Sequence, residues 1–437
     1  MEKIKCTLLA ETKVTQEVQH RVTKLFVELG YYFVNDQENT FCLQIDSELG
    51  MKAKLESTRI LGGNPAILFR GAVRVILSQL MENNWPEILQ PQLEERIVML
   101  DIGRKYYPLV ELKRLVRSMA LFQFTHLQLH FSENEGFGIE SLRYPEIVSA
   151  EHLTQAEIKE LIAYAKQYYL ELIPDLDSPG HLQQVLRHYP QWQLPMKDSE
   201  RDTKAVDILN PEATAFIHAI YQEFAELFYE SRYFHIGADE FVDFDLLENY
   251  PELKKAASKH FGKSASGIET FISYINDLAA YVKGLGFTVR VWNDGFYRSN
   301  RQEQVHLTQD CEISYWTRWN QHMAPIEKYF EKNYSVINHN DNFFYYVLGE
   351  AAGYSYPTYE KINAEFQLTT FANGQRVINL TQTKGIAISV WADVPEAKQS
   401  REVINDIFWL QAALSEKVYG DKQKKTDYQK LYDSWSA

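Results

Sequence analysis

The chain has 437 residues, 45% apolar and 14% aromatic, and a formal net charge of −14. That length and apolar content support a large buried core and two or three domains. The negative charge excludes a nucleic-acid partner, whose phosphates it would repel, and disfavours anionic membrane surfaces.

No window reaches ~18 apolar residues, so no membrane-spanning helix is expected. Cys6, Cys42 and Cys311 are far apart and form no C-x-x-C, so neither a zinc site nor a disulfide framework is indicated. The start reaches the charged Glu11 and Lys13 too soon for a signal-peptide core. The expected setting is reducing and cytoplasmic. Eight Trp and 27 Tyr exceed what a core requires. Packing is the plain explanation and stacking on a flat-faced ligand the sharper one.

Residues 1–95 read as a small α/β domain. Thr15 is the expected cap of a helix whose Val18, Val22, Leu25 and Phe26 repeat at helical spacing. Runs at 41–45 and 52–55 read as strands around a turn at Leu49-Gly50, and a helix is expected from Pro65 to Met81. Nothing here carries evident chemistry. A linker at 83–86 leads into residues 96–437, where the pattern changes.

Eight apolar runs of strand length follow, at 97–100, 126–131, 169–174, 233–236, 288–292, 312–316, 335–337 and 386–391. Between most of them lie amphipathic helical stretches, at 109–121, 154–168, 211–229, 268–284, 324–332 and 359–366, with a last one at 400–414. Strands that alternate with helices imply parallel βαβ units, and eight units imply a (β/α)8 TIM barrel. An open doubly wound sheet would show a glycine-rich phosphate loop after its first strand, and Asp101-Ile102-Gly103-Arg104 is not one. After Gly420 a Lys-rich stretch, with a charge run at 422–425, shows no packing pattern and reads as a frayed terminus or the edge of something longer.

A barrel places functional residues just past the C-terminal ends of its strands. Those positions hold Asp101 and Arg104, then Glu133 and Glu135, then Asp175, Asp177 and His181, then Asp239 and Glu240. Trp292, Asn293 and Asp294 follow, then Trp316, then His339, Asp341 and Tyr345, and last Trp391 and Asp393. One polar cluster is ordinary loop chemistry; eight on one rim, mixing acids with Trp, suit a sugar. Asp239-Glu240 read blandly would be a helix cap with a first-turn acid. Arg104 would be a surface ion pair, His181 a turn cap, and the Trp and Tyr residues filler.

Glycoside cleavage needs a proton donor to the leaving oxygen and a stabiliser of the oxocarbenium-like centre. Sequence-adjacent acids rarely bracket one carbon, because neighbours on a strand point to opposite sides. A different division of labour fits: Glu240 protonates the leaving oxygen, while Asp239 holds a 2-acetamido group of the substrate that acts as nucleophile.

His235-Ile236-Gly237-Ala238-Asp239-Glu240 matches the H-x-G-[GA]-D-E signature, and the chain resembles glycoside hydrolase family 20, the exo-β-N-acetylhexosaminidases. Residues 130–137, 174–181 and Trp391-Ala392-Asp393 resemble the motifs of its second, third and last strands, so the resemblance covers about 97–415. It implies Glu240 as acid/base and Asp239 as the acetamido-orienting carboxylate. Arg104 would bind O3 and O4, and His181 would pair with Glu133 and Glu240. Trp292, Trp316 and Trp391 would wall the pocket, and Asp393 would bind O4 or O6. Tyr345, preferred to Tyr346, would hold the acetamido oxygen. The implied substrate is an oligosaccharide ending in GlcNAc, with GalNAc open, and the implied route is a retaining one through an oxazolinium-type intermediate. No metal or cofactor is required. Such a barrel can borrow a neighbour's loop, which leaves a homodimer open. A retaining glycosidase with a protein nucleophile and a non-catalytic glycan-binding barrel are the alternatives. The strand-two motif departs from the family's D-D-Q-G-W, with Glu133-Asn134-Glu135-Gly136-Phe137 in its place, and Asp393 stands where Glu is frequent.

Overall fold

The computed structural model describes residues 2–83, 87–302, 304–420 and 423–436. Residues 84–86 of the expected linker and Lys422 of the charge run lie outside the described residues.

Eight parallel strands close on themselves: β1 (Glu95–Asp101), β2 (His126–His130), β3 (Glu171–Ser178), β4 (Tyr233–Gly237), β5 (Thr288–Trp292), β6 (Cys311–Tyr315), β7 (Val336–Asn338) and β8 (Thr383–Trp391). Each pairs with the next, and β8 returns to β1 in the register Gly385↔Glu95 through Val390↔Leu100. Strands β1, β2, β4 and β6 are buried along their whole length, although polar residues such as Arg96, Gln128 and His235 interrupt their apolar runs. The helices Leu109–Leu121, Gln155–Lys166, Pro211–Leu227, Ile268–Gly284 and Ser400–Tyr419 surround them. The expected (β/α)8 barrel is present. Strand β3 is displaced from expectation. Tyr169 takes φ +57°, off the extended ladder, so the strand starts at Glu171 and runs on to Ser178, paired there with Gly237.

The N-terminal region is a small α/β layer. Its five-stranded sheet runs Thr7–Ala10, Thr40–Ile45, Arg59–Gly62, Ala53–Glu56, Ile88–Leu89. Two sequence expectations need correction. The helix Lys13–Glu28 is capped by Thr12, not Thr15; Thr15 is the third helical residue, and the two side chains cap each other's backbone N–H. The strands on either side of Leu49-Gly50 are not partners, because Arg59–Gly62 lies between them, parallel to one and antiparallel to the other. Helix Pro65–Leu80 joins this layer to the barrel, with Phe69 5.5 Å from the Tyr169 ring.

The C-terminal stretch is docked. Helix Gln429–Ser436 buries Leu431 and Trp435, and the Trp435 ring lies 4.8 Å from Phe408 and under the Arg114 guanidinium at 4.4 Å.

Candidate active site

Past the C-terminal ends of the strands lies a cavity of about 390 Å³. Arg104, Glu133, His181, Asp239, Glu240, Trp292, Trp316, Tyr345, Trp391 and Asp393, contributed by all eight strand ends, line it together.

The acid pair depends on a broken strand. Gly237 has φ +74°, Ala238 φ +75° and Glu240 φ +42°, so the alternation of sides stops at the end of β4 and both carboxylates face one hollow. A side chain at Gly237 would not fit; its Cβ would lie 2.4 Å from Asp177 Oδ1. His181, itself at φ +54°, reaches across from the loop after β3. Its Nδ1 is 3.0 Å from Glu133 Oε2, and its Nε2 is 3.4 Å from Asp239 Oδ2 and 3.6 Å from Glu240 Oε2.

These contacts set the charges. Burial works against a charged His181, but Glu133 and Asp239 outweigh it and hold the imidazole well above its ordinary value. The Glu133 carboxyl, although buried, is held well below its ordinary value by His181, His130 and Arg104. Burial raises Glu240, and Asp239 adds to this while His181 opposes it. A glutamic acid raised in this way keeps its proton nearer to neutral pH, as a general acid must.

Asp101, fully buried, positions the pocket-lining groups Arg104 and Trp391 at the ends of β1 and β8. Its Oδ1 accepts from the backbone N–H of Gly103 and Arg104, and its Oδ2 accepts from Arg104 Nη1 and the Ala392 N–H, all at 2.9–3.1 Å. Arg104 Nη2 is 2.7 Å from Glu133 Oε1, Nε is 3.0 Å from Glu135 Oε2, and the guanidinium lies 5.8 Å from the Trp391 ring centroid. Burial disfavours its charge, but Asp101, Glu133, Asp393 and Glu135 raise its pKa above the ordinary value.

The wall is aromatic. Trp316 and Tyr345 stack with 1° between their planes, and Trp391 lies 5.9 Å from Tyr345 and 6.0 Å from Trp292. Tyr345 is placed by a short strand, Tyr345–Val347, that pairs with the upper half of β8. Tyr346 points to the other side, where its hydroxyl donates to Asp406 Oδ2 at 2.5 Å. Beneath the floor, His130 lies 3.2 Å from Asp175 and 3.3 Å from Glu133, and His235 lies 3.1 Å from Asp175. Three trios of ligand atoms, all including Asp177, lie within 4.8 Å and are of the type that can hold a cation. Their histidines already face carboxylates, and burial with Asp239 nearby raises Asp177 well above its ordinary value.

Several groups at this site escaped the site residues chosen from the sequence. Asp294, seen only as a strand-end acid, accepts the Glu240 N–H at 3.1 Å and the Trp316 Nε1–H at 3.1 Å. Burial, Asp239 and Glu240 together raise its carboxyl to about 7. Trp319, 66% exposed at the mouth, and Tyr354, 5.6 Å from Tyr345, also line the cavity. Trp319 sits three residues after Trp316 in a polar loop, a spacing that could have flagged it; Tyr354 follows an irregular turn with no comparable signal.

Residues 94–421 match the model of glycosyl hydrolase family 20, catalytic domain. A lacto-N-biosidase of Bifidobacterium bifidum is 29% identical over 273 residues, which are 62% of this chain and 24% of that protein. Beta-hexosaminidase subunit A1 of Dictyostelium discoideum is 27% identical over 276 residues, 60% of this chain and 51% of that one. The chain thus spans between a quarter and about half of these curated relatives. Among solved structures, the exo beta-N-acetylglucosaminidase of Vibrio harveyi in complex with N-acetylglucosamine superposes with a TM-score of 0.74 at 17% identity, covering 99% of this chain and 73% of that one. The beta-N-acetylhexosaminidase of Bacteroides fragilis gives 0.73 at 19% identity, with 99% and 92% covered. At such identities the likeness is one of fold.

Proposed function

The chain belongs to glycosyl hydrolase family 20, and from that premise we propose that it removes terminal, non-reducing β-linked N-acetylhexosamine, above all GlcNAc, from oligosaccharides. The reading rests chiefly on Asp239 and Glu240, adjacent in sequence yet lining one aromatic-walled cavity, with a charged His181 between them and Glu133.

The sugar sits against Trp391, with Arg104 and Asp393 reaching its ring hydroxyls. In the first step the acetamido carbonyl oxygen attacks C1, the bond from C1 to the aglycone oxygen breaks, and Glu240 gives that oxygen its proton. An oxazolinium-type ring forms. Asp239 accepts from its N–H and balances the charge, while Tyr345 donates to the acetamido oxygen before attack. In the second step Glu240, now a carboxylate, takes a proton from water, whose oxygen attacks C1 from the side the aglycone left. The ring opens, and the configuration at C1 is retained. His181 stabilises the Glu240 carboxylate between the two steps. The three cysteines are unpaired, in keeping with the reducing, cytoplasmic setting we propose.

Release of p-nitrophenol from its N-acetylglucosaminide and N-acetylgalactosaminide tests the activity and ranks the sugars. Asp239→Asn should slow both by ~10²-fold or more and weaken inhibition by a thiazoline mimic of the intermediate. A covalent protein adduct with a fluorosugar would move the nucleophile onto the enzyme and overturn the scheme.

A further inference from the structure

At the opposite end of the barrel, where the strands begin, lies a larger cavity of about 670 Å³. Its roof comes from the small domain, as Met51, Asn64, Ile67 and Arg70, and its floor from the strand starts at Glu95, His126, Glu171 and Tyr233. It shares no lining residue with the catalytic pocket.

The charges on its wall are matched, with one exception inside. Arg232 Nε is 2.9 Å from Glu171, Lys166 pairs with Glu230, Lys384 is 2.5 Å from Glu312, and Glu95 is 2.6 Å from Arg290. His126, pushed down to about 3 by burial, is neutral. Arg70 is 7% exposed, and among the described residues no carboxylate lies within ion-pair distance of it. Among the described residues its one side-chain hydrogen bond runs from Nη2 to the Tyr169 carbonyl, at 3.4 Å. The acid left on the wall, Glu94, is exposed. Burial, with the like charge of Arg96, lowers Arg70 to about 10, so it stays charged at neutral pH.

Burial makes the charge of this guanidinium costly, and its unused donors open on the cavity, none of them being sealed from solvent. An anion in the cavity would offset that cost. The first turn of helix Pro65–Leu80, which carries Ala66 and Ile67 into the cavity wall, adds the positive end of its dipole. Glu94 lies at the exposed edge, so inside the cavity Arg70 is the charge left facing no carboxylate among the described residues, and a single negative charge would pair it. The planar fork of Arg fits a carboxylate through two parallel hydrogen bonds. Ile67, Leu170, Leu172 and Phe228 give the same wall apolar surface, and its volume suits a compact organic molecule.

We propose that this cavity binds a small monocarboxylate with an apolar body, gripped by Arg70 between the small domain and the barrel. Such a ligand would tie the two layers together and stabilise the chain as its concentration passes its Kd. It acts apart from the hydrolytic chemistry, so the site stands or falls independently of it.

The experiment titrates the full chain with benzoate, with benzamide as neutral isostere and inorganic phosphate as an anion lacking an apolar body. It reads thermal denaturation and hydrogen exchange. Benzoate should give a saturable rise in Tm and added protection around residues 64–70 and 169–172, which the other two do not reproduce. Arg70→Met should lose that rise while melting at the same or a higher temperature without ligand, and chromogenic turnover should be unchanged. Arg70→Lys keeps the charge without the fork and should weaken benzoate by ~10-fold or more. The proposal is overturned by an absence of saturable stabilisation or by an equal response to benzamide or phosphate. Benzoate affinity unchanged in both variants, or protection confined to the pocket of Asp239 and Glu240, would overturn it as well.

Discussion

Where the barrel strands begin, Arg290 lies between two acids, its Nη2 2.6 Å from Glu95 and 2.9 Å from Glu312, with its guanidinium 3.7 Å from the Tyr233 ring centroid. Burial pushes the Glu95 carboxyl up, but Arg290, helped by His126, Tyr233 and Lys384, overcomes this and holds it at about 2. Where the strands end, Asp239, Glu240 and Asp294 crowd one another with His181 as the near cation; Glu240 is raised, and Asp294 reaches about 7. What differs is whether each acid has a cation of its own. Matched charges hold the Glu95 carboxyl down at the strand starts, while at the strand ends burial and neighbouring acids push Glu240 and Asp294 up.

If that contrast is right, substitutions at the two ends should trade stability and catalysis in opposite ways. The largest effect is expected from Glu95→Gln, which leaves Arg290 with Glu312 alone. It should cost about 3 kcal/mol in urea denaturation, with turnover per folded molecule unchanged. Because the folded pKa of Glu95 lies below the unfolded value, its contribution is present above pH ~4 and lost as the pH falls toward about 2. The variant should therefore show a flatter acid limb. Glu240→Gln should do the reverse, slowing substrates with poor leaving groups by ~10²-fold or more, equivalent to about 2.7 kcal/mol of barrel-mouth chemistry, with Tm held or raised. In the parent enzyme the rate should fall as the pH climbs past the raised Glu240 pKa. A Glu240→Gln protein that unfolds easily yet turns over normally would invert the comparison.

The finest test is Asp294→Asn. Its folded pKa lies above the unfolded value, so its stabilisation is complete below pH ~4 and lost as the pH rises through about 7. The unfolding free energy of the parent minus that of the variant should shrink over that window, by an amount on the order of a few kcal/mol. A constant gap would mean that Asp294 titrates as an ordinary exposed acid.

Much of this arrangement was legible in advance. Runs such as 233–236 and 289–292 are buried and mostly apolar, with His235 and Arg290 as the polar exceptions, and the residue after each run falls on the barrel rim by geometry. The choice of Tyr345 over Tyr346 shows where such reading thins out. Neighbours on a strand face opposite ways, and only the pairing of Tyr345–Val347 with β8 fixes which one faces the cavity. The docked terminus was missed because Tyr428, Leu431 and Trp435 find partners in Phe122 and Phe408, which no local period reveals. Thr12 displaced Thr15 as a cap because the two residues are chemically alike and only backbone dihedrals separate their roles.

The amino-acid order by itself determined the eight strands, the helices between them and the type of chemistry on the rim, since each follows from burial periodicity or from residues adjacent in the chain. Tertiary structure alone decided that Asp239 and Glu240 share a hollow, through three departures from extended backbone at Gly237, Ala238 and Glu240. It alone decided which carboxyls are raised and that Arg70 faces the cavity with no carboxylate within ion-pair distance among the described residues. The reason is physical: a pKa is set by the charges within a few ångströms, and those charges come from elements as far apart as Glu95 and Arg290, 195 residues distant along the chain.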